Sequence, residues 1–265
     1  MKCKICETPT REFDTAIILG KYEVSYYHCP ECGFINTEEP FWLEEAYSTA
    51  IASFDTGIMM RNIQNATSLL FFLKFIESGP CLDFGGGHGV LTRIMRDYGF
   101  DFYNYDKYAQ NLFASGFDGD LIKKYKVVTS FENFEHFVDP MKEIESILLS
   151  TEILYFSTLL LPHPLPHPSS VQTWWYYALD SGQHISFYSK KTLEYIANKH
   201  NMYFLSNNTD THIISKYRIN KYFFHFLWLY RKINSISFSK FFRKQPKTRN
   251  DMYTILSKLK KVEKE

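Results

Sequence analysis

Short apolar runs alternate with segments of helical periodicity between residues 80 and 215. Strands are predicted for the runs CLDF, FDFYNYD, KVVTSFENF and EILYFSTLL, and helices for VLTRIMRDYGF, DPMKEIESILLS and KKTLEYIANKH. The runs NMYFLS and THIISKY predict a closing antiparallel pair of strands. Because strands and helices alternate, the sequence predicts an α/β fold with a doubly wound, Rossmann-like sheet.

The chain before residue 80 follows a different pattern. The segment TAIILGKYEVSYYHC predicts a β-hairpin centred on residues 20 and 21. Helical spacing follows from Phe41 to Tyr47 and from Ile63 to Phe75, and a Gly-Pro pair ends it. We therefore predict a ribbon at 1–40, a helical linker or lid at 41–79, the α/β domain at 80–215 and a basic, aromatic helical tail at 216–265.

Composition supports a globular protein with an uneven charge distribution. The 265 residues are 45% hydrophobic and 18% aromatic, which indicates a well-buried core. The net charge of +1 combines +11 on residues 216–265 with −10 on the rest. The basic tail is compatible with solvated helix faces, with an anionic sugar or nucleotide substrate, with a membrane surface or with nucleic acid.

No targeting segment is evident, so a cytoplasmic location is expected. The start MKCKICETPT lacks the apolar core of a signal peptide, and the run FFHFLWLY is too short to span a bilayer. Basic residues flank that run, so it could form an interfacial helix that associates with a membrane. A helix buried in a dimer interface explains the same aromatic residues.

Four of the five cysteines form two CxxC pairs, at Cys3 and Cys6 and at Cys29 and Cys32. Two such pairs can close one tetrahedral thiolate site, and Zn²⁺ suits sulfur ligands without redox chemistry. A ribbon of about 35 residues has too little core to fold alone, so metal binding would supply folding free energy. The sequence predicts a structural zinc site, and unmetallated cysteines are the alternative.

The glycine-rich stretch DFGGGHG, residues 83–89, begins within the strand CLDF and continues directly beyond it. Glycines at the carboxyl end of such a strand let a nucleotide approach the backbone and the next helix. Val90 stands where the last glycine of a GxGxxG dinucleotide fingerprint should fall. Asp106 ends the next predicted strand, 23 residues after Asp83, which suits one βαβ step.

This GxGxG turn with Asp83 two residues ahead resembles motif I of the class I S-adenosylmethionine-dependent methyltransferases. The resemblance implies a seven-stranded sheet and S-adenosylmethionine as cofactor. It implies that Asp83 faces the cationic amino-acid end of the cofactor and that Asp106 accepts both ribose hydroxyls. The cofactor-binding residues that follow are Asp83, Gly85, Gly86, Gly87, Gly89, Asp106 and Phe131.

Two further segments resemble the methyltransferase group that modifies sugars and cell-surface polysaccharides. They are FENFEH, from Phe131 to His136, and GQHISFYSKKTLEYIA, from Gly182 to Ala197. The CxxC pairs resemble the small zinc-binding domain fused to some sugar methyltransferases, including C-methyltransferases of deoxysugars. Those C-methyltransferases carry a further α/β domain, whereas the matching region is followed here by about 50 basic, aromatic residues. The resemblance therefore implies methylation of a hydroxyl oxygen on a sugar, nucleotide-sugar or capsule precursor.

Methyl transfer to an alcohol needs a group that removes the hydroxyl proton. His184 precedes a helix and could overhang the methyl group, or it could simply pack the turn. Glu135 and His136 follow a strand at the edge where acceptor and cofactor meet, and they are catalytic candidates as well. The alternative for Glu135 is a structural hydrogen bond on the cofactor side.

Candidate acceptor-binding residues are aromatic, polar or cationic. Aromatic faces make good platforms for sugar rings, although an ordinary core helix also explains a run of aromatic residues. Arg61 could bind a phosphate, or it could form a surface salt bridge. The loop LPHPLPHP, with His163 and His167, suggests a stiff lid. The predicted acceptor-binding residues are Trp174, Trp175, Tyr177, Gln183 and Arg61.

Two other functions remain open. An RNA methyltransferase would explain the thiolate site and the basic tail. However, FENFEH stands where base methylation often needs an Asn/Asp-Pro-Pro-Tyr segment, which disfavours a nucleic-acid partner. A catalytically inactive assembly protein of the same fold is the second alternative, and an oligomer is compatible with either reading.

Overall fold

A computed structural model describes residues 1–47, 55–76, 79–171 and 173–224, together with Phe226 and Tyr253. Its larger sheet is mixed and has six strands in the order β5-β4-β6-β7-β10-β9. The first four of these strands are parallel, and β10 runs antiparallel to both β7 and β9. Their bounds are β4 Cys81–Phe84, β5 Phe102–Tyr105, β6 Tyr125–Ser130, β7 Thr151–Ser157, β9 Tyr203–Ser206 and β10 Thr211–Ser215.

The α/β fold and the closing antiparallel pair are thus confirmed, but the strand number is not. Seven strands were expected and six are found in the described part of the chain. The segment after β5 makes one isolated parallel bridge, between Asn104 and Asp118. Polar side chains there hold turns instead: Asp120 Oδ1, for example, accepts hydrogen bonds from the backbone N–H groups of residues 122 and 123. Such local bonds compete with strand pairing.

Helices flank the sheet where the periodicity placed them. Asp139 caps α4 by accepting a hydrogen bond from the Lys142 N–H, and Pro140 occupies the first helical position. Ser189 and Thr192 form a reciprocal capping box on α5. The helix bounds are α1 Leu43–Ala46, α2 Ile58–Lys74, α3 Val90–Asp97, α4 Pro140–Ser150 and α5 Lys190–Lys199.

A second sheet of four strands contains the N-terminal ribbon, in the order β1-β2-β3-β8. The predicted hairpin is present, since β1 (Arg11–Ile18) pairs antiparallel with β2 (Tyr22–His28). Strand β3 (Ile35–Thr37) then pairs with β8 (Ser186–Phe187), which comes from far along the chain. The ribbon therefore shares a sheet with the segment that follows residue 182.

Apolar side chains bury both faces of the large sheet and join it to the ribbon. Phe134 stacks on Phe156 with ring centroids 4.2 Å apart, and both are fully buried. The same core cluster includes the ribbon residues Ile5 and Phe34. On the opposite face, Leu69 and Phe72 of α2 pack against the sheet. The ribbon is thus continuous with the core of the α/β domain.

Most of the predicted tail lies outside the described residues, and so does the FFHFLWLY run beyond Phe226. Part of the predicted linker, residues 48–54 and 77–78, is outside them as well. In the described part of the chain, no helix combines the length and the apolar character that crossing a bilayer requires.

Candidate functional site

The glycine turn connects the end of β4 to the start of α3. Gly85, Gly87 and Gly89 have φ angles of 72°, 54° and 83°, in the left-handed region that glycine adopts without a steric penalty. Gly86 faces a crowded surface, because a Cβ atom on it would lie 2.6 Å from Asp83 Oδ2 and would also collide with Asn104 Oδ1. The sequence therefore builds a tight backbone turn over two polar side chains.

Asp83 lies beneath this turn and is almost completely buried, at 3% exposure. Its Oδ1 accepts a hydrogen bond of 2.7 Å from Thr129 Oγ1 on the adjacent strand β6. Burial raises the pKa of the Asp83 carboxyl to about 7, and the charge of Asp106 adds to this shift. A cationic group placed against this carboxylate would favour its ionised form.

Asp106 follows β5 at the same edge of the sheet. Its Oδ2 accepts a hydrogen bond of 2.9 Å from the Gly87 N–H, which ties the glycine turn to the end of β5. Its Oδ1 accepts from the backbone N–H groups of Tyr108 and Ala109, each at 2.8 Å. An ionised carboxylate has about four lone-pair directions, so Asp106 retains capacity for ligand hydroxyls.

A cleft with a volume of about 1900 Å³ runs along this edge of the sheet. Of the predicted cofactor-binding residues, Gly89 does not line the cleft and instead caps α3. The others do line it: Asp83, Gly85, Gly86, Gly87, Asp106 and Phe131. The turn and the two carboxylates therefore face one continuous space.

Three predicted catalytic residues meet in the same cleft. Glu135 and His136 lie in a short 3₁₀ turn, Phe134–His136, and His184 lies in the loop before β8. One ligating atom from each of the three side chains lies within 4.8 Å of the other two. The rings of His136 and His184 have centroids 4.9 Å apart.

Backbone carbonyls orient both histidine rings. His184 Nδ1 lies 2.7 Å from the Tyr176 carbonyl, and His136 Nδ1 lies 3.0 Å from the Gln183 carbonyl. Since a carbonyl oxygen only accepts, each Nδ1 carries the proton and each neutral ring keeps its lone pair on Nε2. Burial lowers the pKa of His184 to about 3 and that of His136 to about 4, so both rings are neutral at pH 7.

The side chain of Glu135 is fully buried, at 0% exposure. Among the described residues, neither of its carboxylate oxygens has a hydrogen-bond partner. Burial raises the pKa of this carboxyl well above its ordinary value, and the charge of nearby Glu132 adds to the shift. The backbone carbonyl of Glu135 accepts a hydrogen bond of 2.8 Å from the Ile185 N–H.

The predicted acceptor-binding residues separate into two groups. Trp174, Trp175, Gln183 and Arg61 line the cleft, and Arg61 forms an ion pair of 2.6 Å with Asp55. Tyr177 does not line it: this ring is fully buried against Tyr26 and Phe187, and its hydroxyl donates to the Pro166 carbonyl. The prediction for Tyr177 is corrected accordingly, since the 3₁₀ turn of residues 175–177 directs it into the core.

The proline-rich loop also lies elsewhere. His167 stacks on Phe13 of β1 at 4.6 Å, and Ser169 donates two hydrogen bonds to Asp14. Residues 162–171 are not part of the cleft wall. The expectation of a lid over the acceptor is therefore wrong, because this loop packs on the ribbon sheet.

Several polar residues of the site were missed from the sequence. Thr129 holds Asp83, Asn104 lies under the glycine turn, and Tyr176 supports His184 through its carbonyl. The Tyr47 hydroxyl lies 2.9 Å from His136 Nδ1. The predicted covering segment includes Tyr47 and the predicted aromatic platform includes Tyr176, whereas Thr129 and Asn104 belong to no recognisable spacing.

The four ribbon cysteines lie together at the edge of the core. Their sulfur atoms are all within 4.8 Å of one another, with Cys3 and Cys32 3.6 Å apart and Cys6 and Cys29 3.4 Å apart. A tetrahedral zinc site with Zn–S bonds of ~2.3 Å requires separations of ~3.8 Å. The thiols are free and the set fits a Zn²⁺ ion.

A family model described as a methyltransferase domain matches residues 59–207, more than half of the chain. The chain belongs to this methyltransferase family. The enzyme is an S-adenosylmethionine-dependent methyltransferase, and its glycine turn with two carboxylates provides a cradle that fits that cofactor. No curated protein matches the sequence.

Solved structures with a similar fold include other methyltransferases. Magnesium protoporphyrin IX methyltransferase of Synechocystis PCC 6803 with bound SAH is 14% identical, with a TM-score of 0.41, and the match covers 65% of this chain and 90% of that chain. An O-methyltransferase family protein from Burkholderia thailandensis is 12% identical, with a TM-score of 0.46 and coverage of 66% of each chain.

Proposed function

We propose that this methyltransferase transfers a methyl group to a hydroxyl oxygen of a sugar, a nucleotide-sugar or a precursor of a cell-surface polysaccharide. The observation that carries the proposal is the cluster of buried Glu135 with half-buried His136 and His184, which lines the same cleft as the glycine turn. A neutral hydroxyl is a weak nucleophile, so a site for alcohol methylation needs a group that accepts its proton.

The chemistry is a direct displacement. The bound cofactor supplies an electrophilic methyl group on a sulfonium. The acceptor oxygen forms the new C–O bond while the C–S bond breaks and its electron pair stays on sulfur. The hydroxyl proton would pass to an Nε2 lone pair of His136 or His184, or to the Glu135 carboxylate when that group is ionised. Trp174 and Trp175 would bind the faces of the sugar ring.

The cofactor would occupy the half of the cleft below the glycine turn. Asp83 would face its cationic amino-acid end, and Asp106 would accept its ribose hydroxyls. Gly85, Gly86 and Gly87 would allow close backbone approach, and Phe131 would contact the cofactor from the end of β6. The acceptor then lies between this half and the aromatic residues, where Gln183 and Arg61 would add polar contacts.

The charges that line the cleft favour a small acceptor over a nucleic acid. Among the described residues, eight acidic side chains and two basic ones line it, and one of the basic residues, Arg61, is paired with Asp55. A polyanion such as RNA would be repelled by this surface at low ionic strength. A sugar can bind here through neutral hydroxyl groups.

The ribbon is proposed to bind a structural Zn²⁺ through Cys3, Cys6, Cys29 and Cys32. Four thiolates leave no position for a substrate, so this ion would serve stability. We propose domain boundaries at residues 40, 79 and 215, with strand β8 joining the ribbon to the α/β domain. An oligomer and a membrane contact through the tail stay predictions.

The test is an acceptor screen with purified protein. Nucleotide-sugars, free sugars and a structured RNA are each incubated with the protein and S-adenosylmethionine. The release of SAH, the demethylated cofactor, is measured, and mass spectrometry and NMR identify the product. We expect an O-methylated sugar or nucleotide-sugar as the product, and we expect the RNA to remain unmethylated. Methylation of RNA alone, or cofactor binding without turnover of any sugar, would contradict the proposal.

A further inference from the structure

We propose that Glu135, His136 and His184 together bind a divalent transition-metal ion at the acceptor end of the cleft. This site is separate from the four ribbon cysteines and consists of one carboxylate and two imidazoles. Binding of the ion is independent of the proposed function. Only the role of the ion in holding the acceptor hydroxyl oxygen rests on that function.

The three donor groups already converge. Their ligating atoms lie within 4.8 Å of one another, and ligands at ~2.0–2.2 Å from a tetrahedral ion are ~3.4 Å apart. Closing around an ion therefore needs side-chain shifts of about 1 Å. The short 3₁₀ turn and the loop before β8 position the donors, and the Ile185 N–H bond to the Glu135 carbonyl joins these two segments at 2.8 Å.

Both imidazoles are oriented as metal-binding histidines are. In each ring Nδ1–H donates to a backbone carbonyl, Tyr176 for His184 and Gln183 for His136. This arrangement fixes the tautomer and directs the Nε2 lone pair to the ligand side. Among the described residues, neither Nε2 atom has a hydrogen-bond partner, so an ion can bind there without breaking a contact within this part of the chain.

The carboxylate supplies the second, independent observation. Glu135 is fully buried, and both of its oxygens lack a partner in the described part of the chain. An unpaired buried carboxylate costs several kcal/mol unless a proton or a cation neutralises it. Glu132, whose charge acts on Glu135, adds negative potential, and Arg61 offsets part of it at longer range. The local field therefore favours a cation at this point.

The donor set indicates which ions would bind. Two imidazoles and one carboxylate suit Zn²⁺, Co²⁺, Fe²⁺ or Mn²⁺ and leave positions open for water or substrate. Mg²⁺ prefers oxygen ligands and fits this set poorly. An ion here would hold the acceptor hydroxyl oxygen and lower the pKa of its proton. That proton would pass to the second oxygen of Glu135, because the imidazole lone pairs are then bound to the ion.

The test uses full-length protein whose cysteine site is loaded with Zn²⁺, and Co²⁺ as the probe. Co²⁺ binds thiolates more weakly than Zn²⁺ does, so it leaves the ribbon site intact. Calorimetry and visible absorption should show one equivalent of Co²⁺ with weak d–d bands and no sulfur charge-transfer band. Glu135→Gln and His184→Ala should each weaken binding at least tenfold, while His163→Ala on the exposed proline-rich loop should bind like wild type.

Two results would overturn the metal site: no binding of Co²⁺ by the folded wild type, or equal affinity in wild type, Glu135→Gln and His184→Ala. Circular dichroism and SAH binding establish that each variant is folded. If His184→Ala does not fold, Glu135→Gln still tests the site, because a glutamine side chain has the same shape as glutamate. Co²⁺ binding without turnover of any sugar would leave the metal site standing and contradict the proposed function. Sugar methylation by a protein that binds no Co²⁺ would support the proposed function and contradict the metal site.

Discussion

Thr129 Oγ1 donates a hydrogen bond of 2.7 Å to Asp83 Oδ1 across the neighbouring strands β4 and β6. This bond stabilises the ionised carboxylate, whereas burial disfavours it and raises the pKa of Asp83 to about 7. The balance of these two effects falls within the physiological pH range. Cofactor binding at Asp83 should therefore depend on pH.

We predict that SAH, which keeps a cationic amino group, binds more weakly as pH falls through 7. The charged ligand selects the ionised carboxylate, which is the major form above pH 7 and the minor form below it, so affinity should fall about tenfold between pH 8 and pH 6. Calorimetric titration at both values measures this change. Thr129→Val should move the transition to higher pH, and Asp83→Asn should abolish it. An equal pH dependence in wild type and Asp83→Asn would contradict this reading.

Removing a member of the catalytic cluster should affect turnover more than cofactor binding. His184→Ala and Glu135→Gln should lower kcat by about 10²–10⁴-fold, the range for losing acid–base assistance. SAH affinity should change less than threefold, because these side chains belong to the acceptor half of the cleft. Initial rates measure turnover and calorimetry measures SAH affinity. His163→Ala, at an exposed position, is the matched control. Full activity in either cluster variant would remove that residue from the mechanism.

Loss of the ribbon cysteines should destabilise the protein. Cys3→Ser with Cys32→Ser should abolish bound zinc and lower the free energy of unfolding by several kcal/mol, since metal binding contributes to folding. Metal content by mass spectrometry and thermal unfolding are the measurements. Cys81→Ala removes the buried cysteine of β4 and should leave zinc content unchanged. Zinc retained in the double variant would exclude a thiolate site.

His212 should make stability depend on pH. Its Nε2–H donates to the Thr158 carbonyl, its Nδ1 lies 2.9 Å from Ser206 Oγ, and burial lowers its pKa from 6.5 to about 4. The unfolded chain binds a proton below pH 6.5 and the folded protein does not until about pH 4. The contribution of neutral His212 to the free energy of unfolding is therefore complete above pH 6.5. It is lost as pH falls towards 4, and it amounts to a total on the order of 3 kcal/mol.

Urea unfolding at pH 7 and pH 4.5 measures this effect. His212→Gln should be less stable at pH 7 and should lose less stability than wild type on acidification. His163→Gln, at an exposed position, should behave like wild type. The same pH slope in wild type and His212→Gln would show that other groups govern the acid sensitivity.

Local chemistry explains which parts of the fold and site were predictable. The hairpin, the glycine turn and the helix over DPMKEIESILLS depend on neighbouring residues, and all three are present. Tyr177 was misplaced because four consecutive aromatic residues carry no signal for which ring turns inward. The contact between Tyr176 and His184 depends on the path of a loop. The described residues contain six strands of this sheet where seven were predicted, because polar side chains after β5 form turns.

The pairing of β3 with β8 places a constraint on biosynthesis. Ile35 pairs with Phe187, and the Cys32 carbonyl accepts hydrogen bonds from Ser189 and Thr192 of the α5 cap. The ribosome makes the ribbon some 150 residues before these partners emerge, so one edge of its sheet stays open throughout that interval. Unpaired edges are sites of aggregation during folding. A nascent chain that acquires zinc early would keep this exposed edge ordered until β8, the last strand of the ribbon sheet, is made.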